Sequence, residues 1–139
     1  MTVTIENWKG SISYQADCVV VVSNARQIAA IVRDSDAYPS PVRPRGSHHS
    51  TTDCIVASGG TVIDMRQMDR IIAIDPEALT ITMEAGVRHI DAAKALERLG
   101  LQFYVNVEIG NLTAGSGACG GTKDASFISD GKREFGQVA

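Results

Sequence analysis

Arg43-Pro44-Arg45-Gly46-Ser47-His48-His49-Ser50-Thr51-Thr52 gathers two guanidiniums, two imidazoles, four hydroxyls and a glycine into ten residues. A glycine lets a ligand approach the main chain closely, and successive exposed N–H groups form a nest for an anion. Guanidinium and hydroxyl donors suit phosphate oxygens. The same composition also describes a solvated polar loop, so residue types alone leave both readings open. Metal binding is not expected. Neighbouring histidines in a strand or loop point apart, and no Asp, Glu or Cys stands at a ligand spacing from them.

A second stretch, Gly115-Ser116-Gly117-Ala118-Cys119-Gly120, matches GxGxxG letter for letter. The dinucleotide reading needs that fingerprint to open a βαβ unit, with an acidic residue about twenty positions on. Gly121-Thr122-Lys123-Asp124 follows instead, with no apolar helical stripe, and the sequence stops before the acidic position. The segment is therefore expected to be a glycine-rich loop that approaches phosphate, with Thr113, Ser116 and Thr122 as hydroxyl donors. Cys119 has only Lys123 nearby as a cation and is expected to be a small buried side chain. His89 is expected at the surface, and Asp64 and Glu84 are expected to be structural.

The elements around these segments read as follows. Cys18-Val19-Val20-Val21-Val22 is a continuous β-branched run, as in a parallel strand covered on both faces. Asn24 is an N-cap candidate with Gln27 completing a capping box, and the helix it opens extends to about Asp34. Ser35 to Pro41 is a loop. Val42 to Gly46 reads as a short strand whose pairing Pro44 restricts. Cys54-Ile55-Val56-Ala57 reads as a buried strand closed by Gly59-Gly60. Thr61 to Met65 and Ile71 to Ile74 read as strands, and Asp75-Pro76-Glu77-Ala78 turns the latter into a returning strand, Leu79 to Met83. Ile90, Ala93, Leu96 and Leu99 form the apolar stripe of a helix from Arg88, with Gly100 at its C-cap. Leu101 to Val107 is extended. The order implies a mixed α+β fold, with a small parallel sheet and helices plus an antiparallel part.

The chain has 139 residues, enough for one domain with a real core, with 44% hydrophobic and 21% charged residues. A net charge of -3 argues against a general nucleic-acid binder. No apolar run reaches the ~18 residues of a membrane span. The amino terminus lacks an export pattern, and three scattered cysteines fit a reducing compartment, so the expectation is cytoplasmic. Phe135-Gly136-Gln137-Val138-Ala139 begins a new apolar segment, which predicts that more chain follows.

Ordered blocks tie these pieces together: Asn7-Trp8, Cys18 to Val22 and its helix, Arg43 to Ser50, Gly60 to Met65, Glu84-Ala85-Gly86, and Gly110 to Gly115. In them the sequence resembles the FAD-binding domain of the vanillyl-alcohol oxidase and para-cresol methylhydroxylase type, over nearly its whole length. The resemblance implies that residues 1–139 are the amino-terminal part of such a domain. It further implies that Arg43, Pro44, Arg45, Gly46, Ser47, His48 and Ser50 approach the FAD pyrophosphate. Thr113, Gly115, Ser116, Gly117, Gly120 and Thr122 would do so from the second segment. His49, directly before Ser50, holds the place of the histidine that many members join covalently to the flavin 8α-methyl carbon. Cys119 lies inside the glycine segment, so a second, cysteinyl link is not implied.

The implied activity is FAD-linked oxidation of an alcohol, sugar, lactone or hydroxy acid, with dioxygen or another acceptor reoxidising the flavin. In the family, later parts of the chain supply the catalytic base and substrate pocket, so the resemblance assigns no catalytic base to these residues. The expected partners are FAD, a small-molecule substrate and the rest of the chain or another subunit. The rival reading is a non-catalytic flavin- or nucleotide-binding module acting as a subunit.

Overall fold

In the computed structural model, which describes residues 2–103 and 106–120, the chain divides into two compact units, Met1–Met68 and Asp69–Ala139. The first begins with β1 (Val3–Glu6) and β2 (Ser13–Ala16), an antiparallel pair with Ile5 opposite Tyr14. Period-two alternation puts Ile5, Tyr14 and Ala16 inward and their neighbours outward. Next come β3 (Cys18–Val21), α1 (Ala25–Arg33), β4 (Val42–Arg45) and β5 (Thr61–Asp64). The three strands form a parallel sheet in the order β3-β5-β4.

All four residues of β5 are buried, as its central place requires. The β-branched run of β3 instead lies at an edge and is only half-buried, so coverage on both faces belongs to β5. Pro44 stands on the other edge strand, where its missing N–H breaks no ladder among the described strands. Two apolar layers sandwich the sheet. Val22, Ile31 and Ile63 pack with Ile28 and Val42 on the α1 side, and Ile5, Tyr14, Ala16, Ala57 and Val62 pack under the hairpin.

Local chemistry explains how α1 starts. Asn24 Oδ1 accepts the Gln27 N–H at 3.1 Å, while Gln27 Oε1 accepts the Ser23 N–H at 2.7 Å. The reciprocal arm thus reaches one residue further back than in the standard box. The expected strand at Cys54–Ala57 is instead a 3-10 turn, Asp53–Ile55, closed by the Val56 N–H on the Asp53 carbonyl. Only Ile55 and Ala57 of that run are buried, and four residues without a neighbouring strand gain no ladder bonds.

The second unit opens with the hairpin β6 (Ile71–Asp75) and β7 (Thr80–Met83). Asp75 Oδ1 accepts the N–H groups of Glu77 and Ala78, which makes the turn the sequence predicts. Arg70 and Glu84 pair across the base of the hairpin at 2.7 Å. Helix α2 (His89–Glu97) follows, and Gly100 ends it at φ +70°. Its inward face is His89, Ala92 and Leu96, while Ile90 and Leu99 are exposed, so the buried stripe is rotated from the expected one.

Residues 110–120 are not a loop throughout. Ala114–Gly120 is a short helix, α3. Four backbone bonds zip its approach to the approach of α2: His89 N–H to Leu112, Ile90 N–H to Gly110, Ala114 N–H to Val87 and Gly115 N–H to Ala85. Those bonds hold helical a run that glycine propensity alone would leave open. No described helix is long and apolar enough to cross a membrane.

Candidate functional site

Strand β4 carries the first chemical segment out of the sheet. Val42 packs into the α1-side core, so Arg43 and Arg45, alternating with it, share the other face. Arg43 is exposed and Arg45 is half-buried. Among the described residues, the buried Nε of Arg45 has no hydrogen-bond partner. Asp64, across the sheet from Arg45, is buried and takes the Arg66 guanidinium through Nε and Nη2 at 2.6–3.1 Å. Burial pulls the Asp64 carboxyl upward, but the Arg66 hydrogen bonds and charge, with Arg45 adding, hold it below the ordinary carboxylate range.

The chain then turns at His48, which adopts φ +61° and is buried. Because a carbonyl can only accept, His48 Nδ1 carries the proton it donates to Glu6 O at 2.7 Å. Its ring meets Tyr14 edge-on. Burial, reinforced by Arg45 and Arg66, holds His48 below the ordinary histidine range despite the Glu6 carbonyl and Asp64.

A pH dependence follows. With its folded value depressed, the unfolded chain takes up the proton first as pH drops below ~6.5, so stability is lost on acidification. The urea midpoint is expected to fall between about pH 7.5 and about pH 5.5, and to fall less in His48→Asn, since Asn tolerates positive φ. Equal pH slopes in both proteins would show that His48 does not titrate this way.

His49 sits differently. Its ring lies 5.8 Å from that of Trp8, and both ring nitrogens are buried with no hydrogen-bond partner among the described residues. Buried polar atoms are normally satisfied, and exceptions concentrate at sites that do something. Gly46, Ser47 and Ser50 are half-buried around it. Imidazole nitrogens without a described partner, on the segment that also carries Arg43 and Arg45, offer a nucleophile and anion donors, which fits an anionic cofactor attached or held here.

The second segment lies in the other unit. Thr113 is buried, and its hydroxyl is engaged with that of Ser116 at 2.9 Å. Gly115, Ser116, Gly117 and Gly120 are on α3 rather than in the expected loop, and Thr122 lies outside the described residues. His89, expected at the surface, is buried against Phe103 and Gly117. A Cβ at Gly117 would come within 2.7 Å of His89 Nε2, so the missing side chain makes room for that ring. Cys119 is exposed rather than buried. Among the described residues, no group of three or more His, Cys, Asp and Glu side chains could hold a metal ion. The sequence reading also missed Asn7, Trp8 and Tyr14 as neighbours of the histidine segment, since their contacts span more than thirty residues.

Comparison with known proteins gives this geometry its context. A family model described as FAD binding domain matches residues 16–124. The glycolate oxidase subunit GlcD of Bacillus subtilis is 32% identical over 118 residues, covering 77% of this chain and 24% of that protein. The L-gulono-1,4-lactone dehydrogenase of Mycobacterium tuberculosis is 28% identical over 109 residues, covering 77% and 25%. In fold, the chain is similar to a solvent-stable cholesterol oxidase at a TM-score of 0.77, with 21% identity, covering 94% of this chain and 26% of that one. It is similar to the cholesterol oxidase of B. sterolicum at 0.73, with 17% identity, covering 88% and 24%. The chain spans about a quarter of the length of these proteins.

Proposed function

This chain belongs to the FAD binding domain family, and on that premise we propose that it supplies the flavin-holding part of an oxidoreductase. The substrate class is an alcohol, sugar, lactone or hydroxy acid, in keeping with relatives named for glycolate and a sugar lactone. The observation that carries this reading is His49, whose two ring nitrogens are buried and unengaged among the described residues. Arg43 and Arg45 would neutralise diphosphate charge through charge-assisted hydrogen bonds. The backbone of residues 46–50 would approach the same anion. His49 would hold the flavin through a bond from a ring nitrogen to its 8α carbon.

The bound flavin supplies hydride acceptance and reoxidation by dioxygen or another acceptor. The rest is done by the chain's own residues. Asp64 keeps Arg66 turned to itself, and the buried Nε of Arg45 has no hydrogen-bond partner among the described residues. His48, with its Nδ1 proton committed to Glu6, fixes the turn that presents its neighbour.

Trp8 is the chain's single tryptophan, so its emission reports on the His49 environment directly. FAD added to the protein is expected to quench that emission saturably. Arg45→Ala is expected to weaken binding about tenfold, the worth of one charge-assisted hydrogen bond. Folded protein whose emission ignores FAD, and which retains none on gel filtration, would refute the proposal.

A further inference from the structure

The hairpin β1–β2 precedes all but the first residue of the stretch that the family model matches, yet its turn reaches straight to the histidine segment. Asn7 organises that turn. It is 4% exposed, its Oδ1 accepts the Ile12 N–H at 3.1 Å, and its Nδ2 donates to Ser11 Oγ at 3.1 Å. The same Nδ2 also donates to the Ser50 carbonyl at 3.1 Å. On either side of Asn7, the Trp8 N–H donates to the His48 carbonyl at 3.0 Å, and the Glu6 carbonyl accepts His48 Nδ1–H at 2.7 Å. Three consecutive residues thus grip positions 48 and 50, and position 49 is suspended between the two grips.

Trp8 completes the arrangement. It is 59% exposed and takes no part in the apolar layer under the hairpin, which Ile5, Tyr14 and Ala16 fill. The indole therefore packs against a polar ring rather than within an apolar layer, as an amphipathic aromatic side chain can. Its described ring contact is with His49, tilted by 46°.

We propose that Glu6-Asn7-Trp8 is a positioning clamp for His49: the hydrogen bonds set its backbone, and the indole orients its imidazole and shields it from water. The clamp rests on the reading of His49 as the flavin attachment point, and its geometry can be tested apart from it. Bond formation at a single nitrogen demands placement that a free loop does not provide.

The test compares Trp8→Ala, Trp8→Phe and Asn7→Asp with the unaltered full chain. Asn7→Asp keeps the acceptor for Ile12 N–H and removes the donor to Ser50. Before flavin is added, each protein is treated with diethylpyrocarbonate, and modification of each histidine is followed by peptide mass spectrometry. The chain has three histidines, so His48 and His89 are internal controls for unfolding.

Trp8→Ala is expected to speed modification of His49 several-fold without changing the other two, and Trp8→Phe to restore the slow rate. With FAD supplied, covalent flavin should fall several-fold in Trp8→Ala and Asn7→Asp and recover in Trp8→Phe. An unchanged His49 rate in Trp8→Ala overturns the clamp, as does a parallel rise at all three histidines. Where the unaltered protein holds covalent flavin, equal incorporation in both Trp8→Ala and Asn7→Asp also overturns the clamp. If the rates behave as expected but the unaltered protein holds no flavin after denaturation, the attachment reading fails and the clamp geometry stands.

Discussion

Flavin is expected to vanish from the denatured polypeptide when His49 is replaced by alanine, and to remain when His48 is replaced by asparagine. The two residues are neighbours in sequence and opposites in structure. His48 has its Nδ1 proton committed to Glu6 O, its ring packed on Tyr14 and its proton affinity lowered by burial. It is a structural imidazole. His49 has two ring nitrogens with no described partner and a ring exposed to one face of an indole. Attachment needs an imidazole nitrogen with no other bond: both ring nitrogens of His49 are without a described partner, whereas the His48 ring is pinned through Nδ1 to Glu6 O. The readout is flavin fluorescence of the acid-precipitated, gel-separated chain, with the linked peptide identified by mass. Undiminished fluorescence in His49→Ala would place the link elsewhere or show that the signal is carry-over.

The second large effect concerns stability. Gly60→Ala is expected to destabilise the protein by about 3 kcal/mol, at the upper end of what overpacking costs. A Cβ there would overlap the Pro41 carbonyl oxygen and lie 2.8 Å from Pro41 N and Cδ, all of it backbone or ring that cannot swing away. Nor can Gly60 retreat. Its N–H is tied to Ala57, its carbonyl accepts from both Asp17 and Cys18, and the next residue donates to Pro41. Those bonds start β5, the central strand, and set its register with β3 and β4. A melting temperature lower by about 10 °C would accompany that loss in a chain of this size. Gly120→Ala, whose Cβ meets nothing within 4 Å, is the control and should be within about 0.5 kcal/mol of the unaltered protein. A Gly60→Ala protein as stable as that control would mean the close approach to Pro41 does not exist in solution.

How far the sequence could be read depended on the distance over which each feature is decided. The Asn24 cap, the Asp75 turn and the hairpin it closes are settled within four residues of chain, and all three were legible. The parallel sheet was legible in kind from the valine run, but not which strand lies in the middle. That depends on Thr61–Asp64 being flanked by two strands that the chain reaches far apart. Cys54–Ala57 misled because a short apolar run looks alike as a strand and as a buried turn. His89 looked like a surface residue because its pocket is made by the absence of a side chain at Gly117, twenty-eight positions later. The helix at Ala114–Gly120 defied its glycines because tertiary hydrogen bonds override local propensity. Within the candidate site, the residue types of positions 43–50 announced an anion or cofactor. The grip of Asn7 on Ser50 did not show, since an asparagine in a turn looks the same whether or not its amide reaches across the fold.

The zipped turns of the second unit carry a lesson for protein engineering. Because Gly110, Leu112, Ala114 and Gly115 exchange main-chain bonds with Ala85, Val87, His89 and Ile90, the small-residue helix is half of a two-part module. Grafted alone into a new scaffold, it would leave behind the template that shapes it. A transplant has to carry both strands of chain, and any randomised library across one must let the other vary with it.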